Sequence, residues 1–228
     1  MSLGARAQGM TVTVEDGLRG SLALGVLECE SPPLDELPAS FEAEADAVTA
    51  RLTALYAGKP AADIPGVAET RALFHRLDLD PTKTRPSSEA LLRRVLQGRG
   101  LPRVHPAVDV CNLCSLESQL PLGLYDRDRL RGELSVRIGR AGEGYAGIRK
   151  QRVHLGGRLL IADDDGPFGA PTSDSSHTAV SADTRNVLVV VYCPIERAGQ
   201  HLSAALEHIA DLLTRFCSAN VVAVRVVQ

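Results

Sequence analysis

DPTKTRPSSEALLRRVLQGRGLPRVHPAVDVCNLCSLESQLPLGLYD, residues 80–126, sets out an Arg-rich entry, a helix, a glycine turn, a second helix and an extended exit. Pro86 suits the first turn of a helix, and Glu89 suits its positive N-terminal end. Leu91, Leu92, Val95 and Leu96 supply the buried face, and Gly98 and Gly100 stop it. Pro106 opens the next helix, which runs to about Ser118 with Val108, Cys111 and Ser115 on one side. So short a turn obliges the two helices to pack as a pair.

Upstream, TVTVE and SLALGVLE within Thr11–Glu28 read as the strands of a hairpin punctuated by Gly17 and Gly20. Phe41, Ala45, Val48, Leu52 and Leu55 recur at helical spacing, which predicts a helix over Pro38–Ala57, ended by Gly58-Lys59-Pro60. Pro65 opens a shorter helix with Leu73 and Phe74 inward, and Leu77–Thr84 reads as a polar loop. Downstream the texture is β: Leu134–Ile138, Arg158–Ala162 and Asn186–Cys193, the last carrying the nearly continuous run VLVVVY of a strand buried on both faces. His201–Phe216 is amphipathic on Leu202, Leu206, Ile209, Leu212 and Leu213, and Asn220–Val227 closes as a strand. With no internal repeat or low-complexity linker, the expectation is one α+β domain over residues 11–228. Its core would be a mixed or antiparallel sheet with packed helices. Residues 1–10 would be a tag or a disordered start, with Met10 an alternative first residue.

A chain of 228 residues, 44% hydrophobic and 23% charged, has the composition of a soluble globular domain. No apolar run approaches the roughly 18–20 residues that cross a bilayer, and no signal-peptide pattern opens the chain. Five cysteines, an odd number, argue for reduced thiols in a cytoplasm. Cys111 and Cys114 form a CxxC inside an apolar helix with no second pair at zinc spacing, so a core role is expected and no metal or cofactor.

The net charge of −3 hides an asymmetry. Residues 1–70 carry four basic and eleven acidic side chains, whereas 71–103 carry eight and three, and 127–158 nine and three. Twenty-two of the 25 basic residues are Arg, whose forked guanidinium suits phosphate, so the two basic blocks read either as solvated faces or as an RNA-facing surface.

Two polar clusters carry the candidate chemistry. In DPTKTRPSSE, Thr82, Lys83, Thr84, Arg85, Ser87 and Ser88 gather at a helix N-terminus, where free N–H groups favour a phosphate or a carboxylate. A capped helix start with exposed charges reads the same way. In PTSDSSHTAV (171–180), Asp174, Ser175, His177 and Thr178 fall within five residues. Adjacency does not make a nucleophilic triad, so this is a pocket-lining loop or a hydrogen-bonded surface loop. Asp163-Asp164-Asp165 lacks calcium-loop spacing and reads as a turn. His75, His105, His154, His201 and His208 show no interpretable pairing.

From Arg85 to Cys193 the motifs follow a known order. LPRVHPAVDVCNLCSLE is similar to the Gly-Arg-Pro turn and Val-Asp-Val-Thr-Asn helix of the B3/B4 domain in bacterial phenylalanyl-tRNA synthetase β subunits. PLGLYD (121–126) resembles that family's Pro-Leu-His-Ala-Phe-Asp, and RGELSVRIGRAGE, LLIAD and DTRNVLVVV resemble the strands that follow. The resemblance implies a tRNA-associated domain of the kind that hydrolyses mischarged tRNA, here similar to free-standing members of the family. The partner it implies is tRNA or aminoacyl-tRNA, with no membrane and no DNA expected. Two departures stand out. The family's His falls at Gly123, and the Glu that reads a tyrosine hydroxyl falls at Val190, so discrimination of tyrosine is not expected. The pocket is expected near Asn112, Gly123, Ser175, Thr178 and Val190, with Asp174 or His177 orienting water. Thr82, Lys83, Arg85 and Ser87 would grip the terminal phosphates. No glycine-rich phosphate loop or class II ATP motif is present, so aminoacylation is not expected. A non-catalytic RNA- or amino-acid-binding module, or hydrolysis of a small amino-acid ester, are the alternatives.

Overall fold

Val187–Pro194 is buried along its whole length, and the fold is built to cover both its faces. The structure, a computed structural model, describes residues 9–31, 34–148 and 150–228. In chain order, β1 (Val12–Val14) and β2 (Leu22–Glu30) precede α1 (Ala39–Leu55), α2 (Pro65–Arg76), α3 (Ser87–Leu96) and α4 (Pro106–Ser118). β3 (Leu122–Asp126), β4 (Leu134–Ile138), β5 (Gly144–Gly147) and β6 (Lys150–His154) follow. β7 (Leu159–Asp163), β8 (Gly166–Ala170), β9 (Ser173–Asp174) and β10 (Asn186–Pro194) come next, before α5 (Gln200–Cys217) and β11 (Asn220–Val227).

β10 lies inside an antiparallel sheet of order β11-β2-β10-β3. Ala23, Leu27, Val187, Val189 and Val191 face the helices, where Phe41, Val110, Leu113, Leu206 and Leu213 complete one core. Leu24, Val26, Leu188, Val190 and Tyr192 face the other way, onto Val14, Leu134, Val136, Ile161 and Phe168 of a second sheet, β1-β4-β7-β8-β9. The layers are therefore helices, sheet, sheet, an α+β arrangement as the sequence predicts. β5 and β6 form a separate two-stranded ribbon.

The predicted N-terminal hairpin does not form. β1 pairs in parallel with β4, Val12 opposite Leu134, while β2 pairs with β10 and β11. Between them a 3₁₀ turn over Asp16–Leu18 buries Leu18 and carries the chain from one sheet to the other. Eight of the nine β2 residues are buried, a demand that a two-stranded ribbon cannot meet. The tag-or-disorder expectation for residues 1–10 falls mostly on residues outside those described; Met10 donates its N–H to Glu28 at 2.9 Å.

All five cysteines are unpaired and buried, Cys111 and Cys114 among the residues of the helix-side core. Among the described residues no helix is long and apolar enough to cross a membrane, and no cluster of three His, Cys, Asp or Glu side chains could hold a metal ion.

Candidate functional site

Helices α3 and α4, strand β3 and the loop after β9 enclose a cavity of about 600 Å³, within the range of ligand sites. Strand alternation decides what β3 contributes: Leu122 and Leu124 face the cavity. Leu91, Val104, Val108 and Ile148 extend the apolar wall. Asn112, Ser115 and Ser181 add polar groups, and Asp174 supplies the one carboxyl group among the described lining residues. The two polar clusters of the sequence meet at its edge, where the Ser87 N–H donates to the Pro171 carbonyl at 2.9 Å.

Asp174 is the ionisable centre. Tyr125 donates its hydroxyl to Asp174 Oδ1 at 2.8 Å. Burial pushes the Asp174 carboxyl up to about 7, while the Tyr125 hydroxyl and the Ala170 backbone pull against it. Tyr125, Tyr145 and Tyr192 surround it, each pushed above the usual phenol range by burial first and by Asp174 second, so their hydroxyls stay protonated.

The other predicted residues fall in four places. Asn112 and Ser87 line the large cavity with Asp174. Ser175, His177 and Thr178 instead line a smaller cleft of about 210 Å³ with Tyr145 and Phe168. There the His177 N–H donates to Ser175 Oγ, the Thr178 hydroxyl donates to the Phe168 carbonyl, and the His177 side chain is exposed. Gly123 and Val190 lie directly opposite each other across β3 and β10, with Val190 in the core between the sheets, and neither lines the cavity. The space beside Gly123 is filled by Tyr125: a Cβ at 123 would sit 2.0 Å from the Tyr125 hydroxyl oxygen.

Ahead of α3, Thr82, Lys83 and Arg85 stand on an exposed turn, while Pro81, Ser88 and Glu89 are buried. Asp80 accepts from the Thr82 N–H at 2.9 Å and from its hydroxyl at 2.6 Å, and Lys83 is 83% exposed, 3.8 Å from Asp80. Arg85 lies 3.6 Å from Glu89, a buried carboxylate that also receives Arg71 at 2.8 and 2.9 Å and Arg93 at 2.7 Å. Burial alone would raise the Glu89 carboxyl, but the bonds from Arg71 and Arg93 outweigh it and hold it below its ordinary value. Its contribution to stability is therefore present above the ordinary glutamate range and is lost as pH falls through the lower folded value. Glu89→Gln is expected to cost about 1–2 kcal/mol at pH 7, with the difference from the parent narrowing in acid. Urea midpoints at pH 7 and pH 4 check this; an equal difference at both would mean the arginines do not hold the charge.

Two residues were not legible from sequence: Tyr125, behind the wall, and His105, in it. Tyr125 gave no signal beyond a hydroxyl where the resembling motif has Phe, and His105 stood alone in sequence. His105 precedes α4, lines the cavity, and makes no side-chain cap bond to that helix.

The phenylalanine–tRNA ligase β subunit of Leifsonia xyli subsp. xyli is 37% identical over 116 residues, covering 50% of this chain and 14% of that protein. The same subunit of Streptomyces avermitilis is 36% identical over 104 residues, covering 45% and 12%. The chain thus spans a small part of these relatives. A crystal structure of an N-terminal fragment of the phenylalanyl-tRNA synthetase β subunit from Pyrococcus horikoshii aligns with 96% of this chain and 51% of that one, at 15% identity and a TM-score of 0.46. A B3/4 domain is matched over residues 69–218, which takes in α3, α4, β3, β10 and every lining residue of the cavity. The chain belongs to the B3/4 domain family.

Proposed function

We propose that this domain hydrolyses the ester bond of misacylated aminoacyl-tRNA, acting in trans on tRNA charged elsewhere in the cytoplasm. The observation that carries the reading is the Asp174 carboxyl in the cavity wall, raised to about 7 and steadied by Tyr125. A general base works best with a pKa near the working pH. The aminoacyl group enters the cavity, and water attacks the ester carbonyl while Asp174 takes its proton. The bond from the carbonyl carbon to the ribose oxygen then breaks, and that oxygen leaves as a hydroxyl with the proton. The products are a free amino acid and uncharged tRNA. Asn112 stands on the same wall as a donor for the carbonyl oxygen. That the curated relatives are phenylalanine–tRNA ligase β subunits supports tRNA as the partner.

The test is deacylation of a panel of correctly and wrongly charged tRNAs, with Asp174→Asn alongside. Hydrolysis of at least one mischarged tRNA, lost in the variant, is expected. No hydrolysis across the panel with tRNA binding intact would replace this reading with a binding module. Lys83 and Arg85, exposed beside the cavity edge, are read as phosphate contacts. The double variant Lys83→Ala/Arg85→Ala is expected to weaken tRNA binding about 3–10-fold and to reduce the slope of log affinity against log salt by about 1–2. An unchanged slope in a salt titration would move the RNA to another face.

A further inference from the structure

Residues 134–158 carry six basic side chains and one acidic, Glu143. That one carboxylate is fully engaged. Arg137 reaches it through Nη1 at 2.8 Å and Nη2 at 2.7 Å, and the Arg140 N–H donates to it at 2.6 Å. Arg140 and Arg152 are exposed, and neither guanidinium pairs with a carboxylate among the described residues; Arg152 donates to the Gly142 carbonyl at 3.3 Å. Elsewhere the arginines are committed: Arg71 and Arg93 to buried Glu89, Arg127 and Arg225 to buried Glu28. Exposed guanidinium forks without an acidic partner suit phosphate oxygens.

The fold puts these cations on a structure of their own. β5 and β6 form a ribbon outside both large sheets. Tyr145 and Val153 turn inward onto Leu155, Leu160 and Ala170, while Ala146, Arg152 and His154 are exposed. At the base, the Arg152 guanidinium lies against Gly142, two residues from Arg140. The tip sits at the large cavity. Ile148 is exposed in its lining, and its N–H donates to the Asp174 carbonyl at 3.2 Å. The Ser176 N–H donates to the Ala146 carbonyl at 2.8 Å, and Gly147 bridges to Ser175. β5 is four residues long, so roughly 10 Å separates tip from base, about three phosphates of a stacked strand at about 3.4 Å each.

Resting on the reading that the cavity receives the aminoacyl end of tRNA, we infer that the β5–β6 ribbon is a docking surface for a single RNA strand. The terminal nucleotide lies at Ile148, and the phosphates before it run back along the ribbon to Arg152 and Arg140. Lys83 and Arg85 precede a different edge of the cavity, where Ser87 meets Pro171, so the two surfaces contribute separately. A membrane or an acidic protein would have no use for a basic ribbon whose tip is bonded to the cavity wall. A strand that must deliver its end to Asp174 does.

The experiment measures binding of unacylated tRNA, and of a short single-stranded RNA whose 3′-terminal adenosine carries a photoreactive azide, across a salt series. Arg140→Ala/Arg152→Ala, shown to be folded by thermal melting, is expected to weaken both about 10-fold at low salt. It should reduce the slope of log affinity against log salt by about 1.4, the loss of two phosphate contacts on a single strand. Arg140→Lys/Arg152→Lys keeps the charge and should keep the parent's slope. Lys59→Glu changes the net charge by as much at an exposed site after α1, and should leave affinity within about 2-fold. Light should join the azide to the ribbon tip, near Ala146 and Ile148. That crosslink is made on the parent, so it decides the case even if a variant fails to fold. Crosslinks confined to residues outside the ribbon, or an alanine variant that binds RNA as well as Lys59→Glu does, would overturn the assignment. Vesicles containing phosphatidylserine that bind the parent but not the alanine variant, with RNA affinity unchanged, would give the ribbon to a membrane surface instead. Hydrolysis plays no part in these readings. Ribbon-dependent binding without deacylation would remove the hydrolase and keep the ribbon; deacylation indifferent to the ribbon would do the reverse.

Discussion

Asp174→Asn is expected to lower the deacylation rate at pH 8 by at least about 100-fold, the scale of a lost general base. Asn is nearly isosteric and can still accept from Tyr125, so the loss reports the missing charge. In the parent the rate should climb about 10-fold per pH unit in acid and level off near 7, where the half-buried carboxyl ionises. The Tyr125 bond favours the ionised form, so Tyr125→Phe should move that inflection to higher pH. An inflection that moved down, or did not move, would detach the phenol from the carboxylate. The same proton leaves a trace in stability. The unfolded chain ionises Asp174 at its ordinary low value, whereas the folded protein keeps it protonated until about 7. The stability this group gives is therefore complete in acid and is lost as pH rises through 7. The Asn variant lacks that loss, so its melting temperature should gain on the parent's between pH 5 and pH 8. Buffer-corrected rates and melting curves across this window check both trends.

What could be read from sequence follows the range of the forces involved. VLVVVY announces a strand covered on both faces because both alternating sets of residues are apolar, and β10 is buried that way. The helices of residues 39–118 were legible because their apolar spacing and proline starts are local. The failed hairpin marks the limit: β1 finds β4 more than 100 residues away, a pairing that no pattern within Thr11–Glu28 encodes. The strands GYAG and GPFGA carry little apolar alternation and had no signal to give. In the site, residues 80–89 and 171–180 declared themselves by composition, but only the fold joins them through Ser87 and Pro171. Gly123 was visible as a departure from its family, yet period-two alternation does not say which face of β3 holds the cavity. The structure gives that face to Leu122 and Leu124.

Gly123 is then the position where the departure has its largest structural consequence, and Gly123→Ala is expected to destabilise the domain by about 3 kcal/mol. The added Cβ would lie 2.0 Å from the Tyr125 hydroxyl oxygen and 2.5 Å from Cζ, well inside contact distance. The ring has nowhere to go. Gly169 crowds it on another side, where a Cβ would come within 2.1 Å of the same oxygen. Phe168 packs edge-on at 4.8 Å, and the hydroxyl is tied to Asp174. Because the closest contact is the hydroxyl, Tyr125→Phe in the Gly123→Ala background should recover about 1 kcal/mol beyond additivity, read as a coupling in a double-mutant cycle of urea midpoints. A single variant within about 0.5 kcal/mol of the parent would mean the ring is free to move. The coupling bears on function directly. A side chain at 123 and a phenol at 125 compete for one space, so the histidine of the resembling motif and the Tyr125–Asp174 pair are alternatives. With glycine at 123, the carboxyl group that lines the cavity comes from β9, through Asp174, and β3 contributes the tyrosine that steadies it.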